Sequence, residues 1–167
     1  MNKATVISEL KRGLTLTIPF FEAEPAFLQK SYGPGKWSAR QILAHLTDCE
    51  LVFHYRTRMI LSQPGSALTS MDQDKWVKTL IPTQRDMLLM RRLFTTSRES
   101  MIELVDFLPE QIFGRSGVHS ELGTIRAWDV VGKTATHNMH HYGQLVAIRE
   151  GTTWAPAGAS ADAGATE

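Results

Sequence analysis

The stretch Trp37-Ser38-Ala39-Arg40-Gln41-Ile42-Leu43-Ala44-His45-Leu46-Thr47-Asp48-Cys49-Glu50 reads as the start of a long helix. Ser38 and Gln41 form a capping box: the Ser oxygen takes an orphan amide of the first turn, and the Gln side chain reaches back to the cap. Trp37, just before the cap, is placed to staple onto the first turn. The apolar pattern continues to Leu61, and Pro64-Gly65 ends it. Upstream, Val6, Leu10, Leu14 and Ile18 recur at helical spacing from about Thr5 to Leu28, with a break expected at Pro19 and Pro25. Downstream, a third helix is predicted from Thr83, past Asp86, to about Leu108. A fourth is predicted from near Thr124 to Glu150, where Gly151 is a natural stop. No segment alternates cleanly as a strand would. Ser31–Gly35 and Phe113–Gly117 read as loops, and Ser62–Thr83 as a long polar connection suited to a crossover or lid. The expected fold is all-α: a four-helix bundle with a long crossover between helices two and three.

The remaining composition is that of an ordinary globular domain. Of 167 residues, 43% are apolar and 21% charged, and 18 Lys+Arg against 17 Asp+Glu leave a net charge of +1. That balance gives no footprint for nucleic acid. No apolar run approaches the ~20 residues that cross a bilayer, and the amino terminus is charged where a signal peptide is apolar. The single Cys49 excludes an intramolecular disulfide framework. A cytoplasmic protein acting on a small molecule, without nucleic-acid or membrane partners, is expected. The bundle is assigned to residues 1–151. Residues 152–167, rich in Ala and Gly, are expected to form a flexible tail, dispensable beyond Trp154.

Six histidines carry the chemistry: His45, His54, His119, His137, His140 and His141. His137 and His141 lie roughly 40° apart on one helix face. Val130, Thr134, Gln144 and Ile148 share that face, so both rings fall on the core stripe. Two histidines at i and i+4 can present ring nitrogens to one ion. His45 lies on the apolar stripe of the second helix, among Ile42, Leu46, Cys49 and Val52, and is the third candidate. Three protein ligands with an open position is the pattern of catalytic zinc. The competing reading is a set of hydrogen-bonded core histidines, each ring needing its own buried partner. His140 reads as flanking, and His54 and His119 as surface or loop residues. Cys49 reads as a small buried filler. Asp48 and Gln144 are candidate catalytic residues: Asp48 as a base or orienting group for His45, Gln144 as a second hydrogen-bonding neighbour. Each has a purely structural alternative. Because neutral imidazoles bind metal, affinity is expected to fall as pH drops through roughly 6.5.

The run Trp37-Ser38, then His45-Leu46-Thr47-Asp48-Cys49-Glu50, resembles the second-helix signature of the DinB-like (YfiT-like) superfamily of metal-binding four-helix bundles. Thr136-His137-Asn138-Met139-His140-His141-Tyr142-Gly143-Gln144-Leu145 is similar to that family's fourth-helix signature, His-x-x-x-His followed by Gly-Gln-Leu. The resemblance covers about residues 1–151 and places the family's three ligands on His45, His137 and His141. It implies an up-down-down-up bundle, a homodimer, and a divalent ion. Zinc is the first choice, with nickel, iron or manganese as alternatives. The family also includes transferases and isomerases that use low-molecular-weight thiols, and stress-inducible proteins of no known reaction. Two functions follow as expectations. One is a metal-dependent transferase or hydrolase that activates a thiol or water toward a small electrophile. The other is a non-catalytic metal or small-molecule binding module.

Overall fold

The computed structural model describes residues 2–80 and 82–155. Four long helices build it: α1 (Lys3–Thr17), α3 (Ala39–Ser62), α5 (Met87–Phe107) and α6 (Ala127–Glu150), with short helices α2 (Pro25–Leu28) and α4 (Gln73–Thr79) in the connections. Three of the four long helices, α1, α3 and α5, start where a side chain satisfies a first-turn amide. Asn2 accepts from Thr5 N–H and Asp86 from Leu89 N–H. Ser38 and Gln41 form the expected reciprocal box. The break after α1 is a 3-10 turn, Ile18–Glu22, opened by Pro19. Helix α3 packs on both α6 and α5, and α1 also packs on both. The consecutive helices α1 and α3 therefore lie diagonally across the bundle.

The amino half of α3 is enclosed. Every residue from Ile42 to Glu50 is buried, whereas exposed positions recur only beyond it. A helix surrounded in this way carries its polar side chains into the core, where they need partners. Glu50 finds Arg98 of α5, which is wholly buried. Arg98 Nε donates to Glu50 Oε2 at 3.0 Å and Nη1 to the Leu10 carbonyl at 3.3 Å. Gly13 lets α1 come this close: a Cβ there would collide with Asn138 Oδ1 of α6.

The chain between α3 and α5 is more structured than a polar connection. Ala67–Leu68 (β1) pairs in parallel with Ser116–His119 (β2), which pairs antiparallel with Gly123–Arg126 (β3). These short strands were not expected. Phe113–Gly117, expected as a loop, holds the end of a 3-10 turn and the start of β2. Thr124 and Ile125 pair with Val118 and Gly117, so the last helix begins three residues later than its apolar pattern suggests. The crossover is pinned back onto α3. Arg40 Nε donates to the Pro82 carbonyl at 2.7 Å, and Arg85 pairs with Asp48 at 2.8 Å. Trp76 of α4 joins Leu51, Val52 and Tyr55 on the outer side of α3. No helix among the described residues is long and apolar enough to cross a membrane. The expected flexible tail falls largely on residues 156–167, outside the described residues; residues 152–155 are described and turn back onto the bundle.

Candidate metal centre

Helices α3 and α6 make the most extensive helix contact in the fold, and the three histidines lie in that contact. One ring nitrogen from each of His45, His137 and His141 falls within 4.8 Å of the others. His137 Nε2 stands 3.1 Å from His45 Nε2 and 3.1 Å from His141 Nε2. His45 and His141 are buried and His137 is partly so. Three core histidines without an ion would each be expected to point at a separate buried acceptor. These instead turn the same nitrogen toward one point.

The outward side of His141 explains its orientation. Its Nδ1–H donates to Gln144 Oε1 at 2.7 Å, and Gln144 Nε2 donates to the Tyr32 hydroxyl at 3.2 Å. The proton on Nδ1 leaves the Nε2 lone pair facing the cluster, the tautomer a metal ligand needs. Gln144→Leu is therefore expected to lower zinc affinity roughly 10–100-fold. Chelator competition measures it, and unchanged affinity would show that the amide has no orienting role.

Burial, followed by repulsion from the neighbouring imidazoles, pushes His45 down to about 3 and His137 down to about 2. Burial also lowers His141, against the Gln144 hydrogen bond that raises it, to about 4. All three rings are neutral at pH 7 without an ion. The donor set fits a divalent cation: three neutral imidazoles, buried, convergent and already free of protons.

The cluster lies beside a cavity of about 620 Å³, which His45 itself does not line. His137 and His141 face it, and Lys133, Thr136 and His140 continue the α6 side. Tyr32 and Trp37 come from the chain before α3, which Ser31 and Ser38 close into a loop by pairing with each other. Gln73 and Asp74 come from α4, so the crossover does reach the cavity. Trp37, expected as a staple, lies 4.9 Å from the His45 ring and stacks at 6.2 Å on His141. It shields the ligands from one side. Its position beside the cap was the signal; its neighbours on α6 were not visible in the sequence.

Two other expectations resolve differently. Asp48 is buried and ion-paired with Arg85, and its carboxylate is not among the converging groups. It holds the crossover on α3. His119, expected on the surface or in a loop, stands at the turn after β2 but is buried there, its Nδ1 accepting the Glu121 and Leu122 amides at 3.2 and 3.3 Å. His54 stands beside Arg58, outside the cluster. Cys49 is buried with Sγ 3.5 Å from His45 Nε2. Burial, then Glu50 and Asp48, push its pKa up, so it remains a thiol alongside the ring.

The chain is 27% identical to a protein of Oceanobacillus iheyensis named "Putative metal-dependent hydrolase", over 71% of this chain and 68% of that one. It is 20% identical to a Bacillus cereus protein of the same name, over 89% and 84%. In structure it matches YfiT from Bacillus subtilis, a four-helix bundle of unusual topology. The TM-score is 0.82 at 21% identity, covering 90% of this chain and 89% of that one. It also shares its fold with the mycothiol-dependent maleylpyruvate isomerase, with a TM-score of 0.69 at 10% identity, over 87% and 61%. The model of the DinB superfamily matches residues 9–145, a span that takes in all three histidines, the whole of α3 and α5 and parts of α1 and α6, and the chain belongs to that family.

Proposed function

We propose that the chain is a divalent-metal-dependent enzyme that transfers a thiol or water nucleophile to a small electrophile. The observation that carries this reading is the convergence of three neutral ring nitrogens beside a cavity that His137 and His141 line, with no fourth His, Cys, Asp or Glu in the group among the described residues. A divalent ion held by three uncharged ligands keeps its full positive charge and acidifies a thiol or water brought to it. His45, His137 and His141 hold the ion. Gln144 keeps the His141 proton on Nδ1, away from it. Trp37, Phe53 and the buried faces of α3 and α6 exclude water from the ligand side and keep the local dielectric low. The cavity side is polar and wide enough for a small substrate. Imidazole donors suit zinc first, and nickel, iron and manganese as well. The relatives named as hydrolases support water as the nucleophile, and the isomerase that shares the fold supports a thiol.

The test is a panel of small electrophiles with glutathione, bacillithiol, mycothiol or water as the nucleophile. Metal-loaded wild-type protein and His141→Ala are compared. Turnover is expected only with the loaded wild type. Turnover that survives in His141→Ala rejects the metal mechanism. A loaded protein inactive across the panel favours the binding-module reading.

A further inference from the structure

Past the last turn of α6 the described residues 152–155 do not leave the bundle. Gly151 adopts a left-handed conformation, φ 67°, and the Thr152 N–H returns to the Ala147 carbonyl at 2.9 Å. This reversal is the usual helix ending with glycine just beyond it, and it sends Thr152–Trp154 back along α6. Three extended residues reach about 10 Å, and eight helical residues rise about 12 Å. Trp154 thus arrives level with Gly143, eight residues before Gly151.

There it meets a seat. A Cβ on Gly143 would stand 2.6 Å from Trp154 Nε1, so the indole occupies the space that the missing side chain leaves. The ring meets His140 edge-on at 4.5 Å and Tyr32 edge-on at 6.0 Å between centroids. Both neighbours are cavity walls, and Tyr32 is the residue whose hydroxyl holds Gln144. A segment that only ended the helix would need none of this, and alanine at 143 would be the better helix former.

We propose that Trp154 is a positioning residue of the metal centre: seated on Gly143, it braces Tyr32, which through Gln144 fixes the His141 ring. The inference rests on the three-histidine metal reading, and its test separates the two. Cobalt(II) is titrated into the metal-free full-length chain, reading the visible spectrum of the ion and its affinity by chelator competition. Trp154→Ala and Gly143→Ala are each expected to shift the spectrum and lower affinity roughly three- to tenfold, less than loss of a direct partner of the ligand. Tyr32→Phe should do the same with the indole still in place. The double variant Gly143→Ala/Trp154→Ala should bind no more weakly than Trp154→Ala, because the added methyl then has nothing to displace. A chain ending after Ala155 should bind as wild type. An unchanged spectrum and affinity in Trp154→Ala overturns the proposal, as does a double variant that loses the product of the two single effects. So does a Tyr32→Phe protein indistinguishable from wild type. A wild-type chain that binds no cobalt overturns the metal reading itself.

Discussion

Arg98→Leu is expected to destabilise the folded chain by about 3–5 kcal/mol, measured by urea unfolding. The guanidinium is wholly buried and satisfied from two helices: it pairs with Glu50 of α3 through two nitrogens and donates to the Leu10 carbonyl of α1. The Phe94 ring lies 5.4 Å from its carbon. Removing it leaves Glu50, only 3% exposed, as a buried carboxylate with no counter-ion. Glu50→Leu should cost a similar amount by stranding the guanidinium. The double variant Glu50→Leu/Arg98→Leu should cost far less than the sum, since no charge is then left unpaired. Additive losses would show that the pair is not coupled and that the two side chains matter only as packing.

This pair shows what a linear reading misses. Glu50 and Arg98 are 48 residues apart, and nothing local to either signals the other. What was legible depended on neighbours in sequence. The Ser38–Gln41 box, the break at Pro19 and the left-handed Gly151 each act over three or four residues, and each stands where its residue types put it. The pairing of His137 with His141 is also local, since one helical turn separates them. His45 was reached by its place on an apolar stripe, and the packing of α3 on α6 then brought it to the other two. The hairpin of β2 and β3 escaped notice because four-residue strands are too short for alternation to show. Helix α4 escaped because its seven residues bury only Val77. Tyr32 and Trp37 entered the site through a loop closed by a single bridge, a tertiary event with no period to detect. Asp48 looked catalytic by its distance from His45 along the chain; Arg85, arriving from the crossover, gives it another role.

His137→Ala is expected to abolish retention of a divalent ion, a larger loss than the roughly 10–100-fold cost of removing an outer partner. His137 is the central member of the cluster, with Nε2 at 3.1 Å from each of the other two, so its loss leaves two donors and no shared point. His54→Ala and His119→Ala should retain metal, since neither ring joins the cluster. Metal analysis of the purified variants decides this, and a His137→Ala protein with wild-type content rejects the site. The pH dependence follows from burial and departs from the expectation for free imidazole. In the unfolded chain the rings titrate near 6.5. In the folded chain the highest of the three, His141, lies at about 4, with His45 at about 3 and His137 at about 2. Folded-state values below the unfolded value mean that the unfolded chain takes up protons first. The stability this lends the metal-free fold is complete above about pH 6.5 and is lost as pH falls toward the folded values. Metal affinity of the folded chain, by contrast, meets no proton competition near 6.5. It should stay level from about pH 7 to about 5 and fall as His141 protonates below that. Zinc competition titrations across that range, with urea unfolding of the metal-free chain at the same pH values, separate the two effects. Affinity that declines around pH 6.5 while the fold holds would show rings open to water, and with them a site less buried than the α3–α6 contact makes it.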